Sequence, residues 1–94
     1  MSQLLVVRPA HFLPGKEEEG LRWAKQTEQI RQRWGLIWQL NLRSTIDPAQ
    51  YMLVHLWESK EAYTRWKASP DRANLLAESQ RLVLQDRTQT YDVL

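Results

Sequence analysis

Trp66, Tyr63 and His55 are the residues of this 94-residue chain whose types suggest chemistry. An imidazole titrates near neutral pH, so His55 could accept a proton from a phenolic substrate. Trp66 and Tyr63, on one expected helix, could form the wall against which a flat aromatic ring stacks. The plain alternative for both is core packing, because aromatic rings at helical spacing usually fill space. For His55 the plain alternative is a core or interface histidine with a satisfied hydrogen bond. Trp23 and Trp34 lie eleven residues apart, about three helical turns, and could line the same cavity from a second helix. Asn41 could offer its amide to a developing oxyanion, or be a polar group on the sheet face at a dimer seam. Tyr51 and Tyr91 carry hydroxyls that could orient a substrate oxygen. His11 follows Pro9 in an expected loop and reads as solvated.

Other chemistries are excluded by what is missing. The chain has no cysteine and only two histidines, which rules out disulfides and thiolate sites and argues against a multi-histidine metal centre. No phosphate-binding glycine loop, serine elbow or metal-ligand cluster is present. Thirteen basic and eleven acidic residues leave a net charge of +2, too mild and too mixed for a nucleic-acid partner. No apolar run approaches the ~20 residues of a membrane span. The first residues lack a basic region and a cleavage site, so the expected location is the cytoplasm. The length suits one domain over residues 1–94. Five tryptophans call for a core or a pocket large enough to hold them.

These side chains need elements to position them. Leu4 to Arg8 reads as a strand ended by Pro9, and Pro14-Gly15 as a turn. Lys16-Glu17-Glu18-Glu19 opens a helix whose acids offset the positive end of the dipole. Leu21, Ala24, Thr27, Ile30 and Trp34 form its stripe, and Gly35 stops it. Arg31 and Arg33 in its last turn read as part of a solvated face. Leu36 to Arg43 alternates, with Leu36, Trp38, Leu40 and Leu42 on one face and Ile37, Gln39, Asn41 and Arg43 on the other. Ser44 to Gln50 connects to a strand over Tyr51 to Trp57, in which His55 shares parity with Tyr51, Leu53 and Trp57. Ser59 caps the next helix. Ser69-Pro70 breaks that helix and starts another. Leu82 to Leu84 is either strand or connection, and Thr88 to Leu94 reads as the last strand.

The order is β-α-β-β-α-β, the ferredoxin-like α+β pattern of an antiparallel sheet with helices on one face. The other face stays bare and apolar, which a monomer would expose to aggregation. The inference is a homodimer with two sheets packed face to face about 10 Å apart.

The stretch Trp57-Glu58-Ser59-Lys60-Glu61-Ala62-Tyr63-Thr64-Arg65-Trp66-Lys67-Ala68-Ser69-Pro70, with Pro14 to Glu19 and the helix stop at Gly35, resembles the antibiotic biosynthesis monooxygenase domain. The resemblance implies a dimeric α+β barrel. It also implies oxygenation of an electron-rich phenol or quinol without metal or flavin, so no cofactor is expected. Trp66 and Tyr63 are the nearest counterparts of that branch's pocket residues. In the haem-degrading branch an Asn, a Trp and a His act together. Trp66 matches the Trp, but the other two positions fall at about Val7 and at Leu76, which argues against that mechanism. Two further readings stay open: a ligand-binding or structural dimer without catalysis, and a haem-binding protein using His55.

Overall fold

A computed structural model describes residues 2–94. Its elements are β1 (Leu4–Phe12), α1 (Glu17–Gln26), α2 (Glu28–Gln32), β2 (Leu36–Arg43), β3 (Tyr51–Trp57), α3 (Lys60–Lys67), α4 (Pro70–Ser79), β4 (Val83–Gln85) and β5 (Gln89–Asp92). The strands form one five-stranded antiparallel sheet in the order β2-β3-β1-β4, with β5 also beside β1. The fold is α+β and ferredoxin-like, with its fourth strand in two pieces.

The strand β3 is central because both of its faces are apolar. Its register pairs His55 with Val6 and with Gln39, and Leu53 with Arg8 and with Asn41. Strand alternation therefore puts Val6, Arg8, Gln39, Asn41, Leu53 and His55 on one face. The helices cover that face. Leu4, Val6, Leu36 and Trp57 from the sheet pack with Tyr63, Trp66 and Leu75 from α3 and α4. Trp57 is wholly buried, with Trp66 and Tyr63 ring centroids at 5.8 and 5.4 Å.

Local chemistry sets the joints. The Ser59 hydroxyl accepts from the Ala62 amide at 3.1 Å, and the Ser69 hydroxyl from the Arg72 amide at 3.0 Å, with Pro70 at the start of α4. Each serine satisfies an orphan donor of the helix it opens. Gly35, at φ +111°, follows α2 in a conformation that disfavours a side chain.

Three sequence expectations need correction. β1 does not end at Pro9 but runs on to Phe12, and His11 is an exposed strand residue rather than part of a loop. The Pro9 carbonyl accepts from the Asp86 amide, so its nitrogen faces the same edge, at the gap between β4 and β5. No ladder donor toward β3 is lost. The first helix is not continuous to Gly35. Thr27 divides it, because its hydroxyl donates back to the carbonyls of Trp23 and Ala24, and such back-bonding bends helices. Leu36 does not share a face with Trp38. A bulge lies between the pairs Leu36–Trp57 and Trp38–Leu56, so Leu36 points to the helices and Trp38, Leu40 and Leu42 point away.

The uncovered face is apolar. Trp38, Leu40 and Leu42 are 38%, 49% and 44% exposed. Leu5, Val7, Met52 and Val54 lie half-buried beside them. Among the described residues no helix is long and apolar enough to cross a membrane.

Candidate functional site

The covered face of the sheet is not packed solid. Between β1, β2 and β3 below and α1, α3 and α4 above lies a cavity of about 50 Å³, in a cleft of about 620 Å³ when its open mouth is counted. His55, Tyr63, Trp66, Trp23 and Asn41 all line it. The sheet brings His55 and Asn41 to the floor from neighbouring strands. Helix α3 lowers Tyr63 and Trp66 from above, three residues apart on its buried side. Trp23 enters from α1, and its indole N–H donates to a Glu78 carboxylate oxygen at 2.7 Å.

Trp34 does not line the cavity. The second helical segment ends at Gln32, so Trp34 lies beyond it and does not share a wall with Trp23. Trp34 packs its ring 6.4 Å from that of Trp66 and donates its N–H to Asp71 Oδ2 at 3.0 Å. Tyr51 is buried on the helix side against Phe12, with centroids at 4.8 Å, and Tyr91 is 51% exposed. Neither lines the cavity.

His55 is 8% exposed, and no side-chain hydrogen bond among the described residues engages its ring. Burial first, and then the charges of Arg31 and Arg8, hold its imidazole well below the usual 6.5. The ring is therefore neutral at physiological pH, with a nitrogen free to accept. The Asn41 Oδ1 is buried without a hydrogen-bond partner, although it lies beside the cavity and not at a seam on the outer face. It is an acceptor awaiting a donor.

Two arginines complete the cavity, and their roles were not anticipated. Arg31 belongs to no solvated face. It is 6% exposed, bonded through Nη1 to Gln39 Oε1 at 3.0 Å and to the Ala24 carbonyl, and lies over the Trp23 ring. Burial, then the neighbouring Arg8, pulls its pKa down to about 10. Arg8, on β1, donates from Nε to Thr88 Oγ1 at 3.0 Å. Its pKa is also lowered, first by burial, with the nearby Tyr63 acting in the opposite direction. The signal for Arg8 was available in the sequence, since it has the inward parity of Leu4 and Val6. The signal for Arg31 was also available, since it stands four residues after Thr27 and seven after Ala24, on the same buried stripe.

No group of three or more His, Cys, Asp or Glu side chains that could hold a metal ion occurs among the described residues. Val7 faces away from the cavity, and Leu76 lines it with a side chain that cannot ligate iron.

The model of the antibiotic biosynthesis monooxygenase family matches residues 5–77. The chain belongs to that family. Several solved structures share the fold across almost their entire length. SnoaB from Streptomyces nogalater, a cofactor-independent oxygenase, superposes with a TM-score of 0.86 at 16% identity, covering 100% of this chain and 95% of its own. A conserved protein from Bacteroides thetaiotaomicron gives 0.81 at 14% identity, with 98% of each chain covered. A protein from Shewanella oneidensis gives 0.76 at 19% identity, covering 98% of this chain and 91% of that one. These identities carry the fold alone. No curated protein matches the sequence. The matched residues include His55, Tyr63 and Trp66 of the cavity wall.

Proposed function

We propose that this family member is a homodimeric, cofactor-independent monooxygenase acting on a flat phenol- or quinol-type substrate in the cavity of each subunit. The observation that carries the reading is a buried imidazole without a side-chain hydrogen bond among the described residues, facing a cavity walled by Tyr63 and Trp66. Anthrone-type substrates lose a C–H proton to give a carbanion delocalised onto oxygen. That carbanion passes an electron to dioxygen, the radicals combine to a peroxide, and loss of water leaves the carbonyl. In balance, the ring methylene and one dioxygen become a ring carbonyl and one water. The protein's share is a base, desolvation and shape. His55 takes the proton. Its conjugate acid is disfavoured beside Arg31 and Arg8, and the substrate anion left behind supplies the missing counter-charge. Trp66 and Tyr63 hold the ring system in place.

The test is dioxygen uptake with an anthrone. Wild type should consume one dioxygen per substrate. His55→Gln and Trp66→Phe should each lower kcat/KM by roughly 10²-fold, the usual scale for a general base or a misplaced substrate. Uptake no faster than in buffer would sink the oxygenase reading.

A second reading is a ligand-binding or structural dimer without catalysis. The small free volume favours its structural form, since about 50 Å³ is below the ~300 Å³ of common ligand sites. Saturable ligand binding without oxygen uptake would select the ligand-binding form. In either case the exposed apolar face of β2 and β3 supports association through the sheet.

A further inference from the structure

The charges around the cavity are all of one sign. Arg8, Arg31, Lys67 and Arg72 line it, and no Asp or Glu does. None of the four forms a salt bridge among the described residues, whereas Lys16, Arg22 and Arg43 on the outer surface each pair with a glutamate. Glu28 influences Arg31 from outside the lining. Three acids adjoin a lining residue in sequence: Asp71 and Glu78 take the indole N–H groups of Trp34 and Trp23, and Asp86 accepts from the Arg87 amide.

A guanidinium has five N–H donors in a fixed fork. Both side-chain bonds of Arg31 use Nη1, which leaves Nε and Nη2 without a partner among the described residues. Arg8 spends Nε on Thr88, which leaves its terminal nitrogens, with the Tyr63 hydroxyl near them. A structural arginine buried this far normally finds a carboxylate or a set of carbonyls for its fork. Here the free donors belong to residues that line one cleft, and the cations repel. Arg8 pulls down the pKa of Arg31, and Arg72 that of Arg8, in each case after burial. An anion in the cavity would relieve that repulsion and fill the donors at once.

We infer that the cavity receives the negatively charged oxygen of a planar aromatic ligand, with Arg8 and Arg31 as its counter-ions and Lys67 and Arg72 drawing it in at the rim. The aromatic body lies against Trp66 and Tyr63. The unpaired Asn41 Oδ1 accepts from a hydroxyl or N–H on the same ligand. The inference rests on the cavity being the ligand site proposed above, and it narrows the substrate class to aromatic acids and phenolates. A cleft lined by one sign of charge with low-dielectric walls also concentrates such ligands before contact.

Two probes with the same ring system, anthracene carboxylate and anthracene methanol, differ mainly in charge. Their binding is read by quenching of tryptophan fluorescence, since Trp23 and Trp66 line the site. Wild type should hold the carboxylate at least roughly tenfold more tightly than the alcohol, the scale of one hydrogen bond to a charged group. Arg8→Gln and Arg31→Met should each erase most of that preference. Arg8→Gln keeps the test open if Arg31→Met fails to fold by circular dichroism. Equal affinity of wild type for both probes would overturn the inference, and so would a preference retained in folded variants. Binding of the alcohol alone, with anthrone oxidation intact, would overturn this inference and leave the oxygenase reading standing. No binding of either probe would overturn this inference, and the oxygenase reading would fall with it only if anthrone oxidation were absent too.

Discussion

Burial, and then Arg31 and Arg8, keep the His55 ring uncharged well below its ordinary 6.5. In the unfolded chain the same ring titrates near its ordinary value. As pH falls below about 6.5 the unfolded chain gains a proton that the folded protein does not take up. Stability from this residue is therefore complete above that pH and is lost progressively below it. Denaturant titrations of wild type at pH 7.5 and 5.5 should show a lower midpoint at the acid end, and His55→Gln should narrow the difference. An unchanged difference in the variant would show that other groups carry the acid sensitivity. At this scale the sequence was legible where types were unusual and opaque where burial decided. His55, Trp66, Tyr63, Trp23 and Asn41 could be named from type and parity, and all five line the cavity. Arg31 was missed, since an arginine in a helix's last turn is usually solvated. Its spacing from Ala24 and Thr27 nevertheless puts it on the buried side, over Gln39.

Among the elements, α3 was the most legible because its signals are local and agree. Ser59 supplies the cap, Ala62, Tyr63 and Trp66 the buried side, and Ser69 the stop. Removing one signal should cost what that signal contributes. Ser59→Ala should destabilise the protein by about 1 kcal/mol, the usual loss for such a cap, read from the denaturation midpoint with circular dichroism. A loss below the error of that measurement would mean that packing of Tyr63 and Trp66 alone defines the helix start. The elements that differed from expectation depend on distant partners. Pro9 continues its strand only because β4 and β5 part beside it. Thr27 sits in an apolar stripe by spacing, and nothing in the spacing shows its hydroxyl turning back to Trp23 and Ala24.

The molecule as a whole has a helix-covered face and an uncovered apolar face on one sheet. On β3, His55 and Leu53 face the cavity, while Val54, Met52 and Leu56 face the other way. The exposed Leu40 and Leu42 extend that outer surface. Light scattering at micromolar concentration should give twice the 11.2 kDa chain mass, and Leu40→Lys should shift the population toward the single-chain mass. A single-chain mass for wild type would remove the proposed dimer. This layer was legible because the apolar alternation of two strands exceeds what one set of helices can cover. The small volume of the cavity was not, because closure depends on the rotamers of its own tryptophans.

The bulge at Ile37 also makes β2 unevenly tolerant of changes in length. The strand spends three residues, Leu36 to Trp38, where β3 spends two, Trp57 and Leu56. Loss of one residue at Ile37 would leave every later side chain on its present face. Loss of one between Gln39 and Asn41 would turn part of the strand over, moving polar groups out of the cavity and leucines into it. In relatives descended by insertion and deletion, the site could outlast a shorter β2 only if the missing residue came from the bulged end of the strand.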